Sequence, residues 1–333
     1  MLILEFSLAV LNPGGRDGIR TFPQGAGLPS DPGHPPVNYH GYAACCGGGF
    51  YRKTGEVSDS VSSVLVLVRK NGLGEAADAV RRLRKRGKQV MISWKESGLP
   101  QVAGVLSNPA VAARFRALCA EADGFISSTT DLVPLYGAAG CRRGGFVPTP
   151  YPLEEPAWDF SVSISQRQGI FIGTREFAVP SRNHFLAVSS ICKLGQPVTV
   201  INTEGWRGVR LLRSISPDLR VVSRRLPYPD YLRLMARHRL VFQLDRSAVP
   251  GQVAGDALLC GVPCVGGDGA IDRLAYPDLC GTNLSAGAAI TAAKRLLEDP
   301  DYYAATLDRA RELALGSISF AKVRDRLLAE FER

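Results

Sequence analysis

Residues 241–269 read VFQLDRSAVPGQVAGDALLCGVPCVGGDG, and the order of apolar, glycine and proline residues in them indicates the fold class. An apolar run ends at Leu244, a short polar loop follows it, and Pro250-Gly251 begins a helical segment that Gly261 ends. A second apolar run then starts at Val262. Glycine and proline mark the boundaries of these segments, as they commonly do at the ends of helices and strands. The pattern predicts a strand, a helix and a second strand joined as one βαβ unit.

The same rhythm extends through both halves of the chain. In the C-terminal half, strands are predicted at residues 169–172, 197–202, 219–222, 240–244 and 263–265, and helices at 181–194, 208–214, 228–238 and 251–260. In the N-terminal half, strands are predicted at 2–11, 61–69, 88–94, 124–127 and 145–147, and helices at 74–86 and 109–121. Residues 286–333 are predicted to be helical, with breaks near 299–300 and 316. Alternating strands and helices predict an α/β protein with two Rossmann-like, doubly wound parallel sheets.

Two segments organise these halves. Residues 148–152 (PTPYP) carry three prolines, which favour an extended linker, so we predict domains at 1–150 and 151–333. Residues 12–59 form a long insertion after the first strand, rich in glycine, proline and aromatic residues. Loops of this length inside a compact domain are usually functional, and we assign this one to acceptor recognition.

Bulk composition excludes several classes of protein. The chain has 333 residues, of which 45% are hydrophobic and 21% charged, as in ordinary soluble proteins of two domains. Residues 2–11 are apolar but contain Glu5, which favours a buried strand over a signal peptide. The eight cysteines show no C-x-x-C spacing, which indicates reduced thiols and not a zinc site. We therefore expect a cytoplasmic protein.

The formal net charge is +9, and the densest run of cations is residues 81–88 (RRLRKRGK). One interpretation is a solvated helix end, where the helix dipole favours cations. The other is contact with a membrane surface or with an anionic acceptor, and we favour the first. No aromatic residues interleave the cations, so a groove for single-stranded nucleic acid is not expected.

The stretch 241–269 resembles the donor-binding region of retaining glycosyltransferases with the GT-B fold. In that family, two nucleotide-binding-type domains face a cleft, and a loop and helix carry two glutamates separated by seven residues before a CGVPVV-like strand. The second acidic position matches Asp256, to which the resemblance assigns the donor's ribose hydroxyls. The first falls on Ala248, and Asp245, three residues earlier, is the alternative acid to hold the transferred sugar.

The diphosphate of the donor has its own candidate residues. The resemblance assigns it to the backbone amides of Gly251, Gln252 and Val253, at a helix N-terminus. Residues 170–188 (IFIGTREFAVPSRNHFLAV) match a second region of the family, in which two cations neutralise the leaving diphosphate. The residues that match these cations in position are Arg175 and Arg182. Arginine suits this role because its guanidinium group can donate two parallel hydrogen bonds to the oxygens of a phosphate.

Ser181 is the predicted N-cap of the helix at residues 181–194. The nucleotide base is assigned to the loop around Arg225 and Leu226, and Asn202 follows a strand where it could also approach the donor.

In the N-terminal half the resemblance is limited to the βα order and to Gly14-Gly15 after the first strand. Such glycines allow the backbone to approach donor phosphates closely, although a plain turn is an equal alternative. His40 and Glu96 are the candidate general bases for the acceptor.

The resemblance implies a glycosyltransferase that moves a sugar from a nucleotide-diphosphate donor to a hydroxyl acceptor with retention. The acceptor is a glycan, a lipid-linked molecule or a protein. No D-x-D sequence stands in a strand-end loop, so we expect neither a metal ion nor another cofactor. The alternative is a non-catalytic nucleotide-sugar-binding or scaffold protein of the same fold. A nucleotide-sugar epimerase would need a pair of carboxylates and a histidine, which the sequence does not identify.

Overall fold

The computed structural model describes residues 6–15, 21, 22, 25, 27–31, 33–95 and 98–333. Contacts divide the chain into two compact units: Met1–Glu154 with Ile318–Arg333 (unit 1), and Glu155–Ser317 (unit 2). Each unit contains one sheet in which all paired strands are parallel, with helices between the strands. This architecture confirms the predicted α/β class with two Rossmann-like halves.

Unit 1 has a six-stranded sheet with the order β2-β1-β3-β4-β5-β6. The strands are β1 Leu8–Leu11, β2 Phe50–Tyr51, β3 Ser63–Val68, β4 Gln89–Trp94, β5 Gly124–Ser127 and β6 Gly144–Phe146. The helices are α1 Asn38–Ala44, α2 Leu73–Lys85, α3 Leu99–Leu106, α4 Pro109–Glu121 and α5 Val133–Ala138, with a last helix, α13, at Phe320–Glu332.

The central strand β3 shows why this sheet is covered on both faces. All six of its residues, SVLVLV, are buried. Because successive side chains point to opposite faces, Val64, Val66 and Val68 enter one core with α2 and α4. Leu65 and Leu67 enter the other core with α1 and α13. A continuous apolar run is typical of parallel strands with helices on both sides.

The C-terminal helix α13 corrects the predicted domain boundary. The prediction gave all of residues 151–333 to the second domain, but Ile318–Arg333 belongs to unit 1. Val323, Leu327 and Phe331 of α13 pack in the core beside β1 and α1. The Gln89 side chain also donates a hydrogen bond of 2.7 Å to the carbonyl of Phe331. Packing across such a sequence distance leaves no local signal.

Unit 2 has a five-stranded sheet with the order β11-β10-β7-β8-β9. The strands are β7 Ile170–Ile172, β8 Val198–Ile201, β9 Arg220–Val222, β10 Leu240–Phe242 and β11 Cys264–Val265. The helices are α6 His184–Ile191, α7 Gly205–Ile215, α8 Tyr228–Met235, α9 Gln252–Leu259, α10 Ala270–Ala275, α11 Ala286–Glu298 and α12 Pro300–Leu315. Every predicted strand of this half is present, with ends that shift by one or two residues.

Several short elements differ from the prediction. Residues 12–59 contain α1 and β2, and α3, α5 and α10 were not predicted. Ser181 is not an N-cap, because α6 begins at His184 and Asn183 precedes it with a φ of 48°. All eight cysteines are free, as predicted. Within the described ranges, no helix combines the length and the apolar character needed to cross a bilayer.

Candidate functional site

The strand order of unit 2 defines where a ligand would bind. The chain runs from β7 outward through β8 to β9, and then returns to β10 on the other side of β7. Right-handed crossovers therefore put α6 and α7 on one face of the sheet and α8 and α9 on the other. In open parallel sheets, ligands bind beyond the carboxyl ends of the strands at which the direction of winding changes, which here are β7 and β10. The loops that follow these two strands carry the predicted residues Arg175, Arg182, Asp245 and Gly251.

These two loops are bonded to each other directly. The Arg182 guanidinium, after β7, forms an ion pair with the Asp245 carboxylate, after β10. The backbone amide of Arg246 donates to the Ser181 carbonyl at 2.7 Å. The hydroxyl oxygens of Ser181 and Ser247 lie 2.7 Å apart. The structure thus brings the predicted residues Arg182 and Asp245 together and fixes them against each other.

Arg175 joins the same group through a carboxylate that the sequence analysis did not single out. Glu176 lies 3.6 Å from Arg175 Nε and 3.8 Å from Arg182 Nε. The Arg175 side chain is 52% exposed, whereas that of Arg182 is 18% exposed and that of Asp245 only 3%. Arg175 is therefore the more accessible cation, and Arg182 is already neutralised by a buried partner. Adjacency to Arg175 was the only sequence signal for Glu176.

The turn before α9 requires glycine. Gly251 has a φ of 91°, a region that only glycine adopts without strain. A Cβ at Gly251 would lie 2.9 Å from the backbone nitrogen of Ile271. A Cβ at Gly173, directly after β7, would overlap the side chain of Val253 in the first turn of α9. The β7 loop and the N-terminus of α9, with Gly251, Gln252 and Val253, therefore meet at the same edge of the sheet.

That helix N-terminus has the properties of an anion site. The first amides of a helix have no carbonyl partner within the helix, and its dipole adds a partial positive charge. Together with the guanidinium of Arg175, this edge of unit 2 combines amide donors with a cation. Such a combination is suited to a diphosphate.

Asp256 lies within α9, and its carboxylate is turned into the protein. The residue is 1% exposed, and the Tyr228 hydroxyl donates to Asp256 Oδ1 at 2.5 Å. Because the residue is buried, its contact with a ribose hydroxyl stays a prediction. The sequence pattern found the position of the acid but carried no information on its partner.

Two further carboxylates lie beside the loop that follows β10. Asp268 Oδ1 accepts from the backbone amide of Ala248 at 3.0 Å, and Ala248 has a φ of 49°. Asp272 Oδ1 accepts from the Gln243 side chain at 3.0 Å. Burial raises the pKa of Asp272 to about 8, and the charges of Asp245 and Asp268 add to this rise. Burial also raises the pKa of Asp268. Ala248, which stands where the resembled family has a glutamate, thus contributes its backbone amide as a hydrogen-bond donor to Asp268.

Asn202, predicted to approach the donor, and the predicted base-binding residues Arg225 and Leu226 follow β8 and β9. Asn202 is buried, and its side chain donates to the Gly205 carbonyl at 2.8 Å and to the Ser223 hydroxyl at 3.2 Å. It therefore holds the start of α7 and ties β8 to the β9 loop. Arg225 and Leu226 lie in that loop, exposed and partly exposed respectively. Their contact with a base stays a prediction.

The corresponding edge of unit 1 is organised by hydrogen bonds between neighbouring loops. Arg69 Nε, after β3, donates to Asn12 Oδ1, after β1, at 3.2 Å. Gly14 has a φ of 67°, and a Cβ at Gly15 would overlap the Asn12 side chain. Local steric constraints therefore account for glycine at both positions, without a contact to donor phosphates.

The two candidate bases have different outcomes. His40, in α1, is 7% exposed, and its ring packs edge-on against Phe50 with the centroids 4.5 Å apart. Packing accounts for this histidine without a catalytic role, and general-base action by it stays a prediction. Glu96 lies outside the described residues.

His184 lies at the start of α6, next to the loop that carries Arg175. Its Nδ1 is 2.9 Å from the Thr174 hydroxyl, and its ring packs against Phe177 with the centroids 4.4 Å apart. Burial lowers the pKa of His184 to about 4, so the ring is neutral at pH 7. It supports the loop that carries Arg175 without adding charge to it.

Comparison with known proteins places this geometry in a wider group of folds. Anabaena HepE, solved in complex with UDP and glucose, is 15% identical; the match covers 80% of this chain and 77% of that one, with a TM-score of 0.56. The trehalose-6-phosphate synthase OtsA is 11% identical over 83% of this chain and 73% of that one, with a TM-score of 0.60.

A UDP-forming trehalose-phosphate synthase from Burkholderia xenovorans is 13% identical over 83% of this chain and 75% of that one, with a TM-score of 0.54. At the level of sequence, no family model and no curated protein matches. The fold is that of the GT-B glycosyltransferases, as the resemblance of residues 241–269 predicts.

Proposed function

We propose that this protein is a glycosyltransferase that binds a nucleotide-diphosphate sugar at the edge of unit 2 and transfers the sugar to a hydroxyl acceptor. The observation that carries the proposal is that the β7 loop, which holds Arg175 and Arg182, meets the β10 loop and the first turn of α9 after Gly251. This convergence lies at the switch point of a fold whose solved examples include a complex with UDP and glucose.

The chemistry of transfer explains what these residues would do. Cleavage of the bond between the sugar and the diphosphate leaves additional negative charge on the diphosphate. Cations and amide donors that already point at this position stabilise that charge without reorganisation. In the proposed arrangement Arg175 supplies the accessible cation, and the first turn of α9 supplies the amides. As in the family that the sequence resembles, transfer proceeds with retention and without a metal ion.

A second candidate function is nucleotide-sugar binding without transfer. Ala248 stands where the resembled family has the glutamate that holds the transferred sugar. Asp245, the alternative acid, is 2% exposed, and it pairs with Arg182 and accepts the amide of Ser247 at 2.8 Å. A site that binds the diphosphate but does not orient the sugar would have these features.

The experiment uses the full chain in two steps. A thermal-shift screen over UDP, ADP, GDP and dTDP should show one nucleotide that raises the melting temperature, because a ligand at 100 times its dissociation constant stabilises the fold by about 2.7 kcal/mol. The sugar nucleotides of that base, labelled in the sugar, are then incubated with the protein. Release of free sugar supports a transferase, and binding without release supports the second candidate. If none of the four nucleotides binds, the proposal is wrong.

A further inference from the structure

The exposed apolar side chains of this protein are not evenly distributed. Six large ones are exposed in the part of the chain that the structure describes, and four of these lie on the neighbouring helices α6 and α7. They are Phe185 (53% exposed), Leu186 (45%), Trp206 (68%) and Leu211 (38%). Single exposed apolar residues are ordinary, but a group of them on one face indicates an interaction surface.

The two helices present these residues at one edge. α6 and α7 pack against each other and follow the paired strands β7 and β8. Phe185, Leu186 and Trp206 all belong to the first turns of their helices. They therefore lie towards the carboxyl edge of the sheet, which is also the edge of the candidate donor site.

Two arginines flank the most exposed of these side chains, Trp206. The guanidinium carbons of Arg207 and Arg210 lie 5.6 Å and 5.9 Å from the centre of the Trp206 ring. Among the described residues neither of these arginines pairs with a carboxylate. Arg213, on the same helix, donates to the carbonyl of Pro217 at 2.9 Å. Glu204, at the start of α7, accepts from the backbone amide of Phe177 at 3.2 Å.

We infer that this surface, the α6–α7 patch (Phe185, Leu186, Trp206, Leu211, Arg207 and Arg210), docks on an anionic lipid surface. Aromatic and leucine side chains enter the boundary between headgroups and acyl chains, and arginines bind the lipid phosphates around them. The positive charge of the patch complements the negative charge of such a membrane. Docking would present the candidate donor site to acceptors at the membrane interface.

The other basic region of the protein lacks this character. In the run 81–88, Arg81 pairs with Asp78 and Glu121, and Arg84 pairs with Asp123. Arg86 pairs with Asp59. The ammonium group of Lys88 donates to three backbone carbonyls, those of residues 58, 59 and 61. These intramolecular partners, and the lack of exposed large apolar residues in the described part of this region, favour the solvated helix end for that run.

The test uses the natural fluorescence of Trp206. The protein has three tryptophans, and Trp94 and Trp158 are 1% and 2% exposed, so a change in surroundings reports mainly on Trp206. We expect the emission to shift to the blue with vesicles that contain phosphatidylglycerol, and not with vesicles of phosphatidylcholine alone. Lipids brominated in the acyl chains should quench this emission, because the indole reaches the acyl boundary.

Variants distinguish binding through the α6–α7 patch from non-specific attraction of a basic protein to anionic lipid. Arg207→Gln with Arg210→Gln should weaken binding to the anionic vesicles by about 30-fold in sedimentation, and Trp206→Ala by about 10-fold. The matched controls, Arg114→Gln with Arg116→Gln on α4 and Ile164→Ala, remove the same charge and an exposed apolar side chain elsewhere. They should bind like the natural protein. Circular dichroism and melting temperature should be unchanged in all four, since every altered side chain is exposed.

Three outcomes would overturn the inference. The first is the absence of a fluorescence shift with anionic vesicles. The second is an equal loss of binding in the patch variants and in the controls, which would show non-specific attraction of a basic protein. The third is a dimer in solution without lipid that Trp206→Ala converts to a monomer, which would make the patch an interface between copies of the chain. None of these measurements requires a nucleotide sugar, so they are independent of the proposed function.

Discussion

The two units contain similar sheets but different electrostatics at the points where their winding reverses. In unit 2, the loops after β7 and β10 are joined by the ion pair between the partly exposed Arg182 and the buried Asp245. In unit 1, the loops after β1 and β3 are joined by Arg69 and the neutral amide of Asn12. The same topology therefore joins the two loops through a pair of opposite charges in unit 2 and through an arginine and a neutral amide in unit 1. Strand order alone predicts a crevice, and the side chains decide its chemistry.

The largest expected difference between the two edges is in their response to pH. Asp272 retains its proton in the folded protein up to a pKa of about 8, whereas an unfolded aspartate loses it near pH 3.9. The stability that protonated Asp272 gives the folded protein is fully present below about pH 4. It falls as the pH rises towards about 8, and the free energy of unfolding decreases by at most about 1.4 kcal/mol per pH unit. Asp272→Asn keeps the acceptor for Gln243 and should abolish this loss.

Melting temperatures of both proteins between pH 4 and 9 test this prediction. His184 and His238, whose pKa values burial lowers to about 4, act in the opposite direction up to about pH 6.5. The interval from pH 6.5 to 8 therefore reports on Asp272 alone. In this interval the melting temperature of the natural protein should fall with pH, and that of Asp272→Asn should stay constant. Parallel curves for the two proteins across this interval would contradict the assigned protonation.

The ion pair itself gives the second prediction. Arg182→Ala leaves the carboxylate of Asp245 buried without a counter-charge, and we expect a loss of about 3–5 kcal/mol in the free energy of unfolding. Arg69→Ala removes a partner of a neutral amide and should cost about 1 kcal/mol. Urea denaturation measures both, and Arg182→Ala combined with Asp245→Asn should recover part of the loss. Equal costs at the two sites would remove the distinction between the units.

The third prediction concerns the contribution of Arg175 to the binding of a nucleoside diphosphate. Because its side chain is half exposed and its ion pair with Glu176 is long, Arg175→Ala should leave the melting temperature unchanged. Affinity for the nucleoside diphosphate found in the thermal-shift screen should fall by about 10- to 100-fold, the usual value of a charge-assisted hydrogen bond. Calorimetric titration is the measurement, and Arg142→Ala, an exposed arginine of unit 1, is the control. Undiminished affinity in Arg175→Ala would exclude this arginine from the site.

The smallest expected effect concerns the glycines of the two edges. Gly14 and Gly251 both have positive φ, so an alanine costs about 1–2 kcal/mol at either position. The new Cβ at Gly251 lies 2.9 Å from the backbone nitrogen of Ile271, whereas at Gly14 no atom of the described residues lies within 4 Å of it. Gly251→Ala should therefore be less stable than Gly14→Ala by about another 1 kcal/mol in urea denaturation. A reversed order would show that the Gly251 turn rearranges freely.

The sequence predicts those parts of the fold that apolar runs and helix boundaries encode locally. β3 with its uninterrupted SVLVLV and α4 with Asn108 before Pro109 are examples, and the Asn108 side chain does accept from the amides of Ala110 and Val111. α1 and β2 were not predictable, because two residues show no periodicity and α1 depends on distant packing. A Cβ at Gly41, in the middle of α1, would lie 2.9 Å from the ring of Pro150.

The candidate site was predictable only in outline. Positions after strands, with glycine and arginine, indicate an anion site and select Arg175, Arg182 and Gly251. Whether a polar side chain points to solvent or to the protein depends on partners that are remote in sequence. Tyr228 turns Asp256 inward, and Ser223 holds Asn202, across separations of 28 and 21 residues. The carboxylate pair of Asp268 and Asp272 also becomes visible only in three dimensions.

The path of the chain has a practical consequence for dissecting this protein. Glu155–Ser317 is one continuous segment, whereas the first unit is assembled from Met1–Glu154 and the last sixteen residues, Ile318–Arg333. A short deletion at the C-terminus would therefore damage the half that begins the chain, by stripping Val323, Leu327 and Phe331 from its core. The middle segment can instead be excised whole, and a splice that joins residue 154 to residue 318 is the design that keeps the other half intact.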